Sequence, residues 1–279
     1  MTKLFRTLLP AFPLLLIHAA AHGQATEKSV FDGDFLTLGG GVGYGPDWAG
    51  ANDSSAFPVG GVMGQIGPIG INPRASGVAL DVIPDVNRKL SFSLGPVISI
   101  RTDRTGKITD PVVAALGGRN TAVEAGGTAG LSLNRLANPY DSLSFSVDVS
   151  WDIAKAHRGA VITPSLTYLT PLSRGTAAML SISAQHVNTA YAGYYFDVTP
   201  AGALASGLPV YTARSGWKNG GATLVGIVDL DGDLLNGGFA LVGGVSYSRL
   251  LGSIADSPIV VERGSPNQFV GALGIAYTF

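Results

Sequence analysis

Residues 140–154 read YDSLSFSVDVSWDIA, and this stretch decides the fold. Leu143, Phe145, Val147, Val149, Trp151 and Ile153 alternate with Ser144, Ser146, Asp148, Ser150 and Asp152. Successive side chains on a strand point to opposite faces, so one face here is wholly apolar and the other wholly polar. A helical period would scatter both sets around its circumference. The alternation returns over 89–101, where Leu90, Phe92, Leu94, Ile98 and Ile100 oppose Ser91, Ser93, Ser99 and Arg101. It is weaker over 178–186, with Leu180 and Ile182 against Ser181, Ser183 and Gln185. Over 238–248, Phe239, Leu241, Val245 and Tyr247 oppose the small Ala240, Gly244, Ser246 and Ser248. The runs match the roughly 9–11 residues that a tilted strand needs to cross a bilayer. Strands of a soluble sandwich alternate in the same way but are usually shorter.

Composition agrees. Only 13% of the 279 residues are charged, about half the usual share. The mean hydropathy is +0.31, yet no run of about 18 apolar residues follows the N-terminus to supply a spanning helix. A barrel reconciles the two facts, because its alternation hides a membrane face inside an ordinary average. The 39 glycines have no triplet period and lie mostly within β-branched and aromatic runs, where glycine marks bends and close backbone approach. With no cysteine, disulfides, thiolate metal sites and cysteine nucleophiles are excluded. A net charge of −1 offers no basic footprint for nucleic acid.

Residues 1–25 carry the pattern of a secretory signal peptide. Lys3 and Arg6 precede an apolar run from Leu8 to Ile17, and small residues follow. Cleavage is expected after Ala21 or Ala25. Residues 26–279 then form one domain: an all-β, transmembrane, antiparallel up-and-down barrel in the outer membrane of a Gram-negative cell. Long connections at 103–119, 188–220 and 251–266 suit the outside, and short ones at 135–141, 171–175 and 231–236 suit the periplasm. The strand number should be even. Alternation fades before Leu80, and ten strands are preferred if 57–83 is one long glycine-bent strand, with twelve as the alternative.

The last strand ends with Leu273, Ile275, Tyr277 and Phe279 on one face. A terminal Phe, an aromatic two residues earlier and alternating apolar residues resemble the signal read by the barrel assembly machinery. Strand addition to an exposed edge explains such recognition physically.

Several blocks together resemble the MipA/OmpV family, the MltA-interacting and OmpV-like outer-membrane proteins. They are Gly43-Tyr44-Gly45-Pro46, Leu94-Gly95-Pro96-Val97, Ile162-Thr163-Pro164-Ser165, Tyr194-Tyr195-Phe196 and Asp256-Ser257-Pro258-Ile259-Val260. The resemblance covers nearly all of the mature chain. It implies an integral outer-membrane barrel acting in scaffolding of peptidoglycan-remodelling enzymes, in adhesion, or in antibiotic or osmotic responses. The family carries no agreed catalytic residues, so none is transferred, and no cofactor is expected. Lipid and lipopolysaccharide surround such a barrel, and periplasmic murein-remodelling enzymes are its expected partners.

Four charges, Arg101, Glu124, Asp148 and Asp152, fall on the polar face and should line the lumen, where they must be paired or hydrated. They motivate the alternative of a small pore. Arg249 shares the outward register of Tyr247 near the external rim, where its guanidinium suits lipopolysaccharide phosphate. Trp48, Trp151, Trp217, Tyr247 and Tyr277 are candidates for the interfacial girdles. Asp229, Asp231 and Asp233 look like the start of a calcium loop, but the position of its closing acidic ligand holds Ala240, and a periplasmic turn is the better reading. The glycines at 39–45 do not connect a strand to a helix, as a nucleotide fingerprint requires. His157 and His186 could serve a barrel hydrolase, but no nucleophile–base–orienter set is readable. Both are expected to be exposed or interfacial.

Overall fold

The computed structural model describes residues 29–84, 89–106 and 108–279. The expected signal peptide lies outside these residues. Twelve strands follow one another: β1 (Phe35–Pro46), β2 (Ser54–Ile66), β3 (Ile69–Arg74), β4 (Gly77–Asp81), β5 (Leu90–Arg101) and β6 (Ala122–Asn134), then β7 (Ser142–Asp152), β8 (Ala160–Pro171), β9 (Thr176–Val187), β10 (Gly216–Asp229), β11 (Gly238–Leu250) and β12 (Asn267–Thr278). Each pairs antiparallel with its sequence neighbours, and β12 closes the barrel on β1 from Thr37↔Thr278 to Tyr44↔Gly271. Among the described residues, no helix is long and apolar enough to cross a membrane.

The barrel has twelve strands, which corrects the preference for ten. Residues 57–83 are not one bent strand but the rest of β2 followed by the short β3 and β4. Gly67 turns the chain at φ +54°, a conformation open to glycine, and its N–H donates to Asp34 at 2.7 Å. Ala75 and Ser76 then connect β3 to β4. Strands this short show too few alternations to be read as separate.

Register fixes the faces. Thr37 and Thr278 share a hydrogen bond inside the barrel at 2.8 Å, while Leu273 on the opposite register is 59% exposed. Phe92, Leu94, Val245 and Ile275 likewise stand exposed on the outer face. So large an apolar surface is not tolerated in water and matches a lipid-facing band. Trp151, Trp217 and Tyr247 rim that band at the end of the long connections, and Tyr247 packs on Phe269 at 4.9 Å. At the other end Tyr277 packs against both Phe239 and Phe279 at 4.6 Å. Trp48 belongs to neither girdle. It is 4% exposed, inside a core built from the long loops. That end is external by the loop-length rule.

The inner wall has two halves. Around β5 to β9 it carries hydroxyls that pair across strands: Ser132 with Ser144, Ser146 with Ser165, and Thr167 with Ser181, all at 2.8–2.9 Å. On β1 the inward register is Gly39, Gly41, Gly43 and Gly45, beside Ala272, Gly274 and Ala276 of β12. A Cβ on Gly41 would lie 2.2 Å from the Leu273 carbonyl oxygen, so β1 and β12 can approach this closely only without a side chain there.

Candidate functional site

The external loops fold into the mouth of the barrel. The connection 188–215 forms α1 (Thr189–Phe196) and α2 (Pro200–Ser206). Asn188 caps α1 by accepting the Tyr191 N–H at 3.1 Å, the usual role of Asn at a helix start. Thr199 caps α2, which Pro200 opens and Gly207 closes at φ +78°. Tyr191, Ala192, Tyr195 and Phe196 of α1 are buried. They pack with Trp48, Val113, Leu250, Ile254, Ile259 and Val260 in one hydrophobic core. The block at 256–260 contributes packing: Ser257 to Val260 are buried, and Asp256 is exposed. The Ser257 hydroxyl donates to the Phe196 carbonyl at 2.7 Å, tying this loop to α1.

Charges fasten the loops to each other. Arg263 pairs with Asp110 at 2.7 Å. Burial opposes ionisation of Asp110, but the Arg263 hydrogen bond and the Val113 and Val112 N–H groups more than offset it, leaving the carboxyl below its ordinary range. Arg104 and Arg119 donate to the carbonyls of Tyr195 and Tyr194, at 2.8 and 2.7 Å. These are carbonyls of the last turn of α1, where cations are favoured. Burial, with Arg119 nearby, lowers the Arg104 pKa to about 10, so it stays charged at neutral pH.

Below the loop core lies a buried polar cluster on the barrel wall. Glu124 of β6 is 1% exposed. It accepts from Arg101 Nε at 2.9 Å and a second Arg101 nitrogen at 3.0 Å. Ser99 Oγ donates to it at 3.1 Å, and His157 Nε2 lies 3.0 Å from its Oε1. His157 Nδ1 accepts the Gly159 N–H at 2.9 Å. That bond assigns the proton of the neutral ring to Nε2, which therefore donates to Glu124. A Cβ on Gly159 would lie 2.6 Å from Asn188 Oδ1 and 2.7 Å from the Tyr191 nitrogen, so this approach of two loops needs glycine. The Tyr191 ring contacts the cluster from above: Arg101 and Lys218 lie 5.2 and 5.4 Å from its centroid, in cation–π range.

A second bridge crosses the lumen. Arg74 of β3 reaches Asp148 of β7 through two hydrogen bonds, at 2.6 and 3.2 Å, and touches Thr128 at 3.2 Å. The structure thus brings Arg101 and Glu124 together and gives Asp148 a separate partner. Asp152, inward in register, accepts the N–H groups of Ala154 and Arg158 and shapes the 153–159 loop. Sequence reading missed Arg74, His157, Lys218 and Tyr191 as partners of these charges. His157, expected to be exposed or interfacial, is 3% exposed. His186 faces outward and packs edge-on against Trp217 at 5.4 Å. Arg249 is exposed beside Tyr247, and both bond Asn267 Oδ1. Leu273, Ile275, Tyr277 and Phe279 line the outer face of the closing strand.

Chemically the cluster holds rather than reacts. Both His157 nitrogens are engaged, and Ser99 donates to Glu124 rather than to the imidazole, so no activated nucleophile is present in it. Asp229 at the end of β10 accepts the N–H groups of Asp231, Gly232 and Asp233, which makes 230–237 a turn. Among the described residues, no three His, Asp or Glu side chains converge in a way that could hold a metal ion.

A closed antiparallel barrel with a lipid-facing belt and a loop-packed mouth is the architecture of an outer-membrane β-barrel protein, and this chain is one. It belongs to the MipA family, described as MltA-interacting protein, whose profile matches residues 38–279. No curated protein sequence matches it. Among solved structures, it is similar to an outer-membrane channel from Pseudomonas putida F1 at 15% identity, covering 92% of this chain and 100% of that one with a TM-score of 0.46. It is also similar to the outer-membrane protein OprD of Pseudomonas aeruginosa at 10% identity, covering 91% and 95% with a TM-score of 0.30.

Proposed function

We propose that this barrel is a non-enzymatic structural and interaction protein that docks murein-remodelling enzymes at its periplasmic rim. The observation supporting this reading is the filled mouth: loops packed into a hydrophobic core, above a lumen spanned by Arg74–Asp148, with the Arg101–Glu124–His157 cluster on its wall. A narrow barrel filled in this way serves poorly as a diffusion channel. The family description supplies the class of partner. Leu136, Leu172 and Leu230 stand exposed in the short periplasmic connections and offer an apolar contact surface. Adhesion through the external loops is a second form of the same interaction role. Arg249 is assigned to lipopolysaccharide phosphate, and the outward face of β12 to the assembly machinery.

The test is capture of murein-remodelling enzymes from mildly crosslinked envelopes. Wild type should recover them, and a Leu172→Asp, Leu230→Asp variant should recover several-fold less while still folding. Recovery of none, or equal recovery by both proteins, would count against docking at this rim.

A further inference from the structure

The barrel wall is not paired along its whole height. β2 and β3 pair only at Gly64↔Ile71, Gln65↔Gly70 and Ile66↔Ile69. Above that point β2 pairs with β1 all the way to Ser54, while β3 turns into the short hairpin with β4. Gly61 and Met63, inward by register, are exposed as a result. Pro58 and Pro73, which have no N–H to offer a neighbour, flank the parting, as prolines do at sheet edges. At membrane depth an open sheet edge is tolerated only where it is buried in protein or lines a cavity that water can reach. Here it borders a cavity.

The cavity behind the opening measures about 390 Å³, within the range of small-molecule sites. Thr37, Gly39, Gly61, Val225, Val242 and Val270 line its lumen side, and Val62 and Pro73 line the parting. Its hydroxyls are already used: Thr37 bonds Thr278 at 2.8 Å, and Thr223 bonds Ser246 at 2.9 Å. None of the lining residues is charged. Two of the glycines are not required by backbone approach. A Cβ on Gly61 would meet nothing within 4 Å, and one on Gly39 would make an ordinary contact, 3.5 Å from the Ala276 Cβ. Gly41, Gly43 and Gly274 differ, since a Cβ at each would fall within 3 Å of its neighbours. The space at Gly39 and Gly61 is therefore free for another molecule.

We infer that this cavity binds a single-chain, uncharged lipophile, an unbranched alkyl chain with a neutral head, which enters sideways from the bilayer between β2 and β3. The external route is closed by the loop core, whereas the parting opens on the same side as the lipid-facing Leu38, Val42 and Val62. The volume suits one chain better than the two of a phospholipid. The absence of a lining cation argues against an anionic head. The inference does not depend on docking at the periplasmic rim.

Photolabelling in phosphatidylcholine vesicles tests it, with a diazirine-bearing long-chain alcohol as probe and a diazirine phosphatidylcholine as comparison. The alcohol should label Val59, Met63, Val225, Val242 or Val270 as well as the outward Leu273 and Ile275. Gly61→Trp should cut the inward labels at least tenfold and spare the outward ones. Gly39→Leu fills the same space from the other wall and serves if Gly61→Trp fails to fold, as judged by heat-modifiable gel mobility. Labels confined to outward residues, or inward labels unchanged in a folded variant, would overturn the site. Equal inward labelling by the phospholipid would overturn the single-chain assignment.

Discussion

Glu124→Ala removes the acceptor shared by Arg101, His157 and Ser99. It leaves a guanidinium whose side chain is 14% exposed without its counter-charge. Breaking a buried ion pair from one side costs about 3–5 kcal/mol. At about 1.4 kcal/mol per factor of ten, the seated arrangement of loops should lose roughly a hundred- to several-thousand-fold in population relative to the unseated one. Trp48 reports this, because it lies in the loop core while Trp151 and Trp217 face outward. In a background where those two are replaced by Phe, urea titration in detergent should show the Trp48 transition moving to much lower urea. A paired Arg101→Met, Glu124→Leu variant should recover much of the loss, since replacing both charges with apolar groups is often near neutral. A Trp48 midpoint shifted by less than about 0.5 kcal/mol in Glu124→Ala, the range of ordinary surface changes, would refute the idea that this cluster seats the loops.

Gly159→Ala should cost about 1–3 kcal/mol by overpacking, seen as a lower Trp48 midpoint, because its Cβ would press on Asn188, Tyr191 and His157. Tyr191→Phe should hold or raise that midpoint, since the buried Tyr191 hydroxyl has no hydrogen-bond partner among the described residues and an unsatisfied buried group costs about 1–3 kcal/mol. The depressed carboxyl of Asp110 stabilises the folded loops above its unfolded value of 3.8, and that contribution is lost as pH falls below it. Protease cleavage of the external loops should therefore rise on acidification through this window in wild type, and less steeply in Asp110→Asn.

The parts legible in the sequence are those written in local alternation. β5, β7 and β12 keep large apolar residues in one register and mostly polar or small residues in the other, so their faces follow from neighbours in the chain alone. β3 and β4 were not legible, because strands of six and five residues carry too short a pattern. The charges on the polar face could be placed inside, but not paired. Arg74 and Asp148 lie 74 residues apart, and only the closure of the barrel brings them together. His157 was hidden for a related reason. Its burial comes from a loop helix, α1, that is apolar on every side and has no amphipathic stripe to announce it. The core role of Trp48 likewise depends on loops distant in sequence.

The most direct measurement of the central claim is single-channel recording of the purified wild-type barrel in a planar bilayer. A mouth filled by packed loops and a lumen spanned by the Arg74–Asp148 bridge predict no steady conductance. Sustained, regular openings of the wild-type protein would contradict the closed lumen, and the interaction role would have to yield to that of a pore.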